Sequence, residues 1–468
     1  MVREAVRPAS RPRSRPRMTL GHEQAESHPQ STGRLHQISL RRLWPWLLLA
    51  VVIRYALMWF NHPWDITTFY NMFVNLSQGV SPYVEFDALS RLSLTSTNHW
   101  VLHYEYFAYP PGLIYLYYVP AQVWGYLTGP VTAHWLLPGL PYVIPPTEVL
   151  NPVFQTLFKM PIFMADVGIG VLVGKLGGRR AMLAYLFNPL VILVSASWTF
   201  EAIPLLCVVA AYFLVVRGRP ALAGLALGFG TVLKIYPVVL VPLIALEYLR
   251  RRHSRKLWQF MLSFVSIVTV AIAPWWEGVG NILQFHALRR GGGLTLHQIV
   301  YLYETLTTEP VLWLQAVLSP GVGAITLIVG LSLSYLWVLH HQPPLLNAFI
   351  VVIAVFFLGS KLVNEQFTMW LIPFLILGAV VSEARERRRF YWLVTSVPLI
   401  FAAVNVPVTG FLYPLGHWGM IAFESLSMPS EAVIGTTAHA MALTAIAMVF
   451  VFTLALIVRH YGRAVDAP

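Results

Sequence analysis

Residues 217–256 read RGRPALAGLALGFGTVLKIYPVVLVPLIALEYLRRRHSRK, an apolar stretch held between two basic clusters. One membrane crossing takes roughly 20 apolar residues, and Lys and Arg accumulate on the cytoplasmic side. Both ends of the stretch therefore belong inside, so the chain between them crosses outward and returns, turning near Lys234 and Pro237. The rest of the chain repeats the pattern. Of its 468 residues 57% are hydrophobic and 11% charged, and apolar runs recur from 43 to 458, which excludes an ordinary soluble protein. The expected fold is an all-α, polytopic transmembrane helical protein of about 11–13 spans.

The same parity orients the remaining segments. Basic connections recur at 175–180 (KLGGRR), 385–389 (RERRR) and 459–463; all are placed inside. The first run, LWPWLLLAVVIRYALMWF at 43–60, then leads outward as a retained anchor, and 61–111 becomes a long external first loop with four acids against one Arg. Segments 181–197 and 200–216 form a hairpin whose outer turn is SWTFEA, 197–202. Outward spans at 257–276, 345–361 and 391–408 alternate with returns at 320–339, 364–380 and 440–458. Residues 112–150 carry many prolines and read as two short spans or interfacial helices. Residues 1–42, with nine Arg and almost no apolar residues, read as a disordered basic cytoplasmic tail. The transmembrane domain is 43–460, and 461–468 is a short cytoplasmic tail. The +12 net charge sits beside spans, which suits anionic membrane lipids rather than nucleic acid. The single cysteine, Cys207, excludes an intramolecular disulfide.

On this topology the unusual polar residues gather on the external side. They are Asp65 after the first span, Glu201 at the 197–202 turn, Lys234, then His286, Arg289 and Arg290 in QFHALRRGGGLTLHQ, and Gln366 in KLVNEQ. Cations hold a lipid phosphate, and a carboxylate accepts a proton from a hydroxyl. For Asp65 alone, helix capping is the simpler role; for Lys234 it is snorkelling. Asp166 and Arg54 lie within spans, where ionisable side chains are costly, and Arg54 is expected to pair with Asp166 or with Asp65. His99 and His103 share helical spacing without a clear third ligand, and Glu85 and Asp87 form an acidic pair that can hold a divalent cation; solvated or interfacial roles are preferred for both. No cofactor is expected, and no metal site is assigned.

In order along the chain, WDITTFY, LSQGVSPYVEF (76–86), FAYPPGLIYLYY (107–118), LFKMPIFMADVGIGVLV (157–173), AYLFNPLVILVSASW (184–198), Glu201 and LKIYP (233–237), followed by FHALRRGGGL and NEQFTMWLIP, resemble polytopic glycosyltransferases of the GT-C type. The likeness is to bacterial mannosyltransferases of the GT87 kind and to the mannosyltransferase of GPI-anchor synthesis, over roughly residues 43–380. The charge pattern places both termini on the cytoplasmic side of the cell membrane, and the resemblance implies a multi-pass membrane enzyme acting on the external or lumenal face. It implies a polyprenyl-phosphate sugar donor, a glycan or glycolipid acceptor, and transfer of a hexose, mannose foremost, with inversion. Asp65 maps by position onto the family's external acid and would activate the acceptor. Lys234, Arg289 and Arg290 would hold the phosphate, and His286, Glu201, Tyr109 and Gln366 would line the substrate site. Where the family shows paired acids, this chain has Trp64-Asp65-Ile66-Thr67, which leaves metal dependence open. A transporter or flippase of an anionic lipid-linked substrate is the alternative, and a noncatalytic scaffold a third.

Overall fold

In the computed structural model the described residues are 40–83, 107, 109–129, 145–276, 278–280, 282–283, 291–307, 320–382, 385–406, 408–423, 425 and 436–463. Their longer helices are α1 (Leu40–Leu57), α2 (Pro63–Ser77), α3 (Gly112–Thr128), α4 (Pro152–Leu186), α5 (Pro189–Ser197), α6 (Ala202–Val216), α7 (Pro220–Leu233) and α8 (Val241–Arg250). After these come α9 (Ser254–Ile272), α10 (Gln298–Leu306), α11 (Pro320–His341), α12 (Leu345–Gly359), α13 (Ile372–Ser382), α14 (Arg385–Asn405) and α15 (Thr437–Arg463). The extended backbone consists of Gly292–Gly293 (β1), paired in parallel with Leu362–Val363 (β2). The protein is thus an all-α polytopic membrane protein. Among the described residues four helices are long and apolar enough to cross a bilayer: Pro152–Leu186, Ser254–Trp275, Gly321–His341 and Thr437–Arg463. Shorter apolar helices accompany them, among them Ala202–Val216, Pro220–Leu233 and Leu345–Gly359.

α4 lies innermost. More than half of its apolar window (56%) is buried, against 17% for α9 and α11, and it packs on α1, α3, α5, α6 and α13. It is not one rod. Gly178 takes φ 83°, ψ 179°, a conformation open to glycine at little cost. Tyr185 donates its hydroxyl to Asp166 across 2.6 Å, although the two are 19 positions apart. A straight helix would separate them by about 28 Å, so the chain reverses at Gly178, within the KLGGRR segment expected to be a turn.

Local chemistry sets the helix starts. Asn151 accepts the backbone N–H groups of Val153 and Phe154 at 2.9 and 3.2 Å, with Pro152 at the first helical position. Asn188 does the same for Leu190 and Val191, ahead of Pro189. Both are side-chain caps followed by a proline whose missing N–H costs the helix nothing. The KIYP break expected near Lys234 is present: α7 ends at Leu233, Lys234 is extended, and a 3-10 turn over Tyr236–Leu240 leads into α8. Small residues bring α7 close to its neighbours. A Cβ on Gly112 would meet the Val232 carbonyl carbon at 2.7 Å, and one on Gly224 would collide with the Phe260 backbone, so α3 and α9 approach α7 backbone to backbone, as small residues permit in membranes.

Within 61–111, expected as a long external first loop, the first part is the helix α2, with Ile66, Phe69, Tyr70, Met72, Phe73 and Val74 all at most 1% exposed. Its apolar residues are interleaved with Thr67, Thr68, Asn71 and Asn75, which holds mean hydropathy down while one face stays apolar.

Candidate functional site

Asp65 stands in the first turn of α2, immediately after the α1 exit. His62 caps that helix: its side chain accepts the Asp65 backbone N–H, Pro63 follows at the first helical position, and the His62 ring and the Asp65 carboxylate approach to 3.2 Å (Nδ1–Oδ2). The capping role weighed for Asp65 is therefore held by His62, and the Asp65 side chain stays 14% exposed. Of the two partners considered for Arg54, Asp65 is not the one used. The His62 backbone N–H donates to the Ser197 carbonyl at 2.7 Å, and its ring stacks on Trp198 at 5.5 Å. These contacts fix the start of α2 against the turn between α5 and α6.

Two buried groups close in on Asp65 from other elements. Lys159 of α4 is fully buried; its ammonium donates to the Trp198 carbonyl at 3.1 Å, lies 5.4 Å from the Phe158 ring, and is within electrostatic reach of Asp65. Glu365 opens the 3-10 turn Glu365–Leu371; it accepts from the Asn405 amide at 3.3 Å and feels both His62 and Asp65. Glu365 had been weighed with Gln366 in KLVNEQ, with helix capping as its simpler role; Lys159 had not been singled out from the sequence. Lys159 had a signal, because it is an ionisable residue inside an apolar span, the rule that picked out Asp166.

Glu201 and Lys234 form the second cluster. Glu201 ends the same turn, its side chain 1% exposed, and it pairs with the Lys234 ammonium at the α7 break. Trp370 donates its indole N–H to the other Glu201 oxygen at 2.8 Å, and Trp370 stacks on Tyr236 with centroids 3.3 Å apart. Lys234 lies 4.1 Å from the Phe367 ring and 5.6 Å from each of the Phe200 and Trp370 rings, within cation–π range. Gln366, between Glu365 and Phe367, is buried at the start of this turn.

Tyr109 links the clusters. Phe69 of α2 stacks on it at 5.5 Å, and it meets Phe200, the neighbour of Glu201, edge-on at 5.1 Å. The Tyr109 carbonyl accepts the Tyr83 hydroxyl at 2.8 Å. Burial, then the nearby Tyr115, pushes the Tyr83 phenol well above its ordinary range, so it stays a neutral donor. His286, Arg289 and Arg290, with Glu85, Asp87, His99 and His103, lie outside the described residues. Among the described residues no group of three His, Cys, Asp or Glu side chains is placed to hold a metal ion.

Asp166 and Arg54 are fully buried and pair with each other, Nη2–Oδ2 2.6 Å. Arg54 also donates to the carbonyls of Ala50 and Leu186 at 3.0 Å each and to Ser195 at 3.2 Å, while Ser195 and Tyr185 donate to Asp166. This network ties α1 to both arms of α4 and to α5.

Fold and site together define a polytopic helical membrane protein with a carboxylate-and-cation cluster at the ends of its helices. Residues 175–275 match a family model described as GPI transamidase subunit PIG-U. The match covers less than a quarter of the chain and takes in Glu201, Lys234 and the two helices on either side of each. No individual curated protein matches the chain.

Proposed function

We propose that the protein is a GT-C type membrane glycosyltransferase that moves a hexose, mannose foremost, from a polyprenyl-phosphate sugar to a hydroxyl of a lipid-linked or envelope glycan. The observation carrying this reading is the juxtaposition at one set of helix ends: a partly open carboxylate, Asp65, within electrostatic reach of the buried Lys159, and Glu201, in the turn that anchors His62, paired with Lys234 at the α7 break. The basic turns Arg217–Arg219 and Arg250–Arg252 fall at the other ends of α6, α7 and α8, which is the segregation the positive-inside rule predicts for an external site and cytoplasmic termini.

In this mechanism Asp65 takes the proton of the acceptor hydroxyl as that oxygen attacks the anomeric carbon. The bond from that carbon to the phosphate oxygen breaks, the polyprenyl phosphate leaves with the electron pair, and the configuration inverts. A positioned base contributes about 10²–10⁴ in rate, and fixed cations, Lys234 with Arg289 and Arg290, stabilise the leaving phosphate. Tyr109 and Gln366 line the sugar site. The test is purified protein in lipid vesicles with radiolabelled polyprenyl-phosphate mannose and a membrane extract as acceptor. Label in an acceptor product with inverted anomeric configuration supports the reading; movement of the labelled lipid across the bilayer without transfer replaces it with a flippase.

The match over 175–275 favours a second reading, in which the chain recognises a GPI-like glycolipid as a noncatalytic subunit of a membrane assembly. That reading predicts stable co-purification with partner membrane proteins and no loss of function in Asp65→Asn.

A further inference from the structure

Glu201 has no task in the displacement just described, yet it is the most firmly held acid of the site. Its carboxylate is fixed from three directions: by the Trp370 indole at 2.8 Å, by the Thr199 hydroxyl at 3.5 Å and by the Lys234 ammonium. Lys234 is the looser member of the pair. Its backbone is extended at the α7 break (φ −156°, ψ 138°) and its side chain is 15% exposed, against 1% for Glu201. The rings of Phe200, Phe367 and Trp370 also face the ammonium and attract a cation without neutralising it.

We propose that Glu201 is a built-in stand-in for phosphate: it occupies Lys234 while the site is empty, and the phosphate of an isoprenyl phosphate displaces it from the ammonium on binding. The inference rests on the reading of the site as one for a polyprenyl-phosphate sugar, and it adds the regulation of that site. A lysine in contact with a carboxylate offers no net charge to an incoming anion, so the pair keeps the site closed to weakly held anions. A phosphate carried on an isoprenoid gains additional binding from the apolar surface that the break exposes, where Ile235 and Val238 are 37% and 39% exposed beside Lys234. Glu201 remains bonded to Trp370 and Thr199 when Lys234 turns outward, so no carboxylate is stranded without donors. The Arg54–Asp166 pair lacks this freedom, because every partner there is another buried group of the same network.

The test is equilibrium binding of radiolabelled farnesyl phosphate to the full-length protein in detergent, comparing wild type, Glu201→Gln and the double variant Glu201→Gln/Lys234→Met. The double variant removes both charges together and leaves no unpaired acid to unfold the site. Farnesol and inorganic phosphate are run in parallel. Close charge pairs couple by about 1.5 kcal/mol or more, so Glu201→Gln is expected to bind farnesyl phosphate about tenfold tighter than wild type, with that gain lost in the double variant and farnesol binding alike in all three. Equal or weaker binding by Glu201→Gln overturns the proposal, since Glu201 would then be orienting Lys234 for its ligand. A gain confined to inorganic phosphate overturns the lipid assignment. If the binding pattern holds while wild type transfers no sugar, the transferase reading fails and the exchange at Lys234 stands.

Discussion

The Arg54–Asp166 and Glu201–Lys234 pairs are both ion pairs of a membrane protein, and they differ in how completely they are enclosed. In the first, both side chains are 0% exposed and the surrounding donors and acceptors come from α1, both arms of α4, and α5. In the second, the acid is sealed, but the lysine sits at a helix break with aromatic rings about it and part of its side chain open. A saturated network can only hold helices together. A pair whose lysine is partly exposed at a helix break can exchange partners, and the contrast separates architecture from function more sharply than the presence of charge in a span.

Substitutions that split the two pairs test this contrast. Arg54→Met leaves Asp166 buried with its charge uncompensated, and stability is expected to fall by about 3–5 kcal/mol, read as a large drop in the melting temperature of the detergent-solubilised protein. Arg54→Met/Asp166→Leu should recover much of that loss, because a well-packed apolar pair tolerates burial. A smaller drop for Arg54→Met than for Lys234→Met would break the comparison. Lys234→Met leaves Glu201 bonded to Trp370 and Thr199, and about 1–3 kcal/mol is expected from the lost charged hydrogen bond. Asn188→Ala removes a helix cap together with donations to Tyr391 at 3.0 Å and Thr395 at 2.8 Å. About 1–2 kcal/mol is expected, with sugar transfer retained.

Much of this was legible in the sequence, and the reasons are specific. Basic turns and the length of apolar runs placed the 198–201 turn, the Lys234 break and the KLGGRR reversal, and the cost of charge inside a span offered Arg54 and Asp166 as partners. Averaged hydropathy hid α2, because its polar residues fall on the same helical turns as its aromatic ones; the HPWD signature of a cap, a first-position proline and an early acid was the available signal. Lys159 passed unremarked between Phe158 and Met160. Its hydrogen-bond acceptor is a backbone carbonyl 39 residues away, a contact that side-chain patterns do not encode. The Glu365–Asn405 bond spans 40 residues and is equally invisible to local patterns.

The central claim is that Asp65 is a catalytic base and not only a first-turn helix residue. Transfer of label from polyprenyl-phosphate mannose by wild type and by Asp65→Asn, each folded and reconstituted in vesicles, tests it most directly. The amide keeps the shape of the side chain and cannot accept the acceptor's proton, so transfer is expected to fall at least about 100-fold with the melting temperature unchanged. Transfer by Asp65→Asn at the wild-type rate would contradict the account.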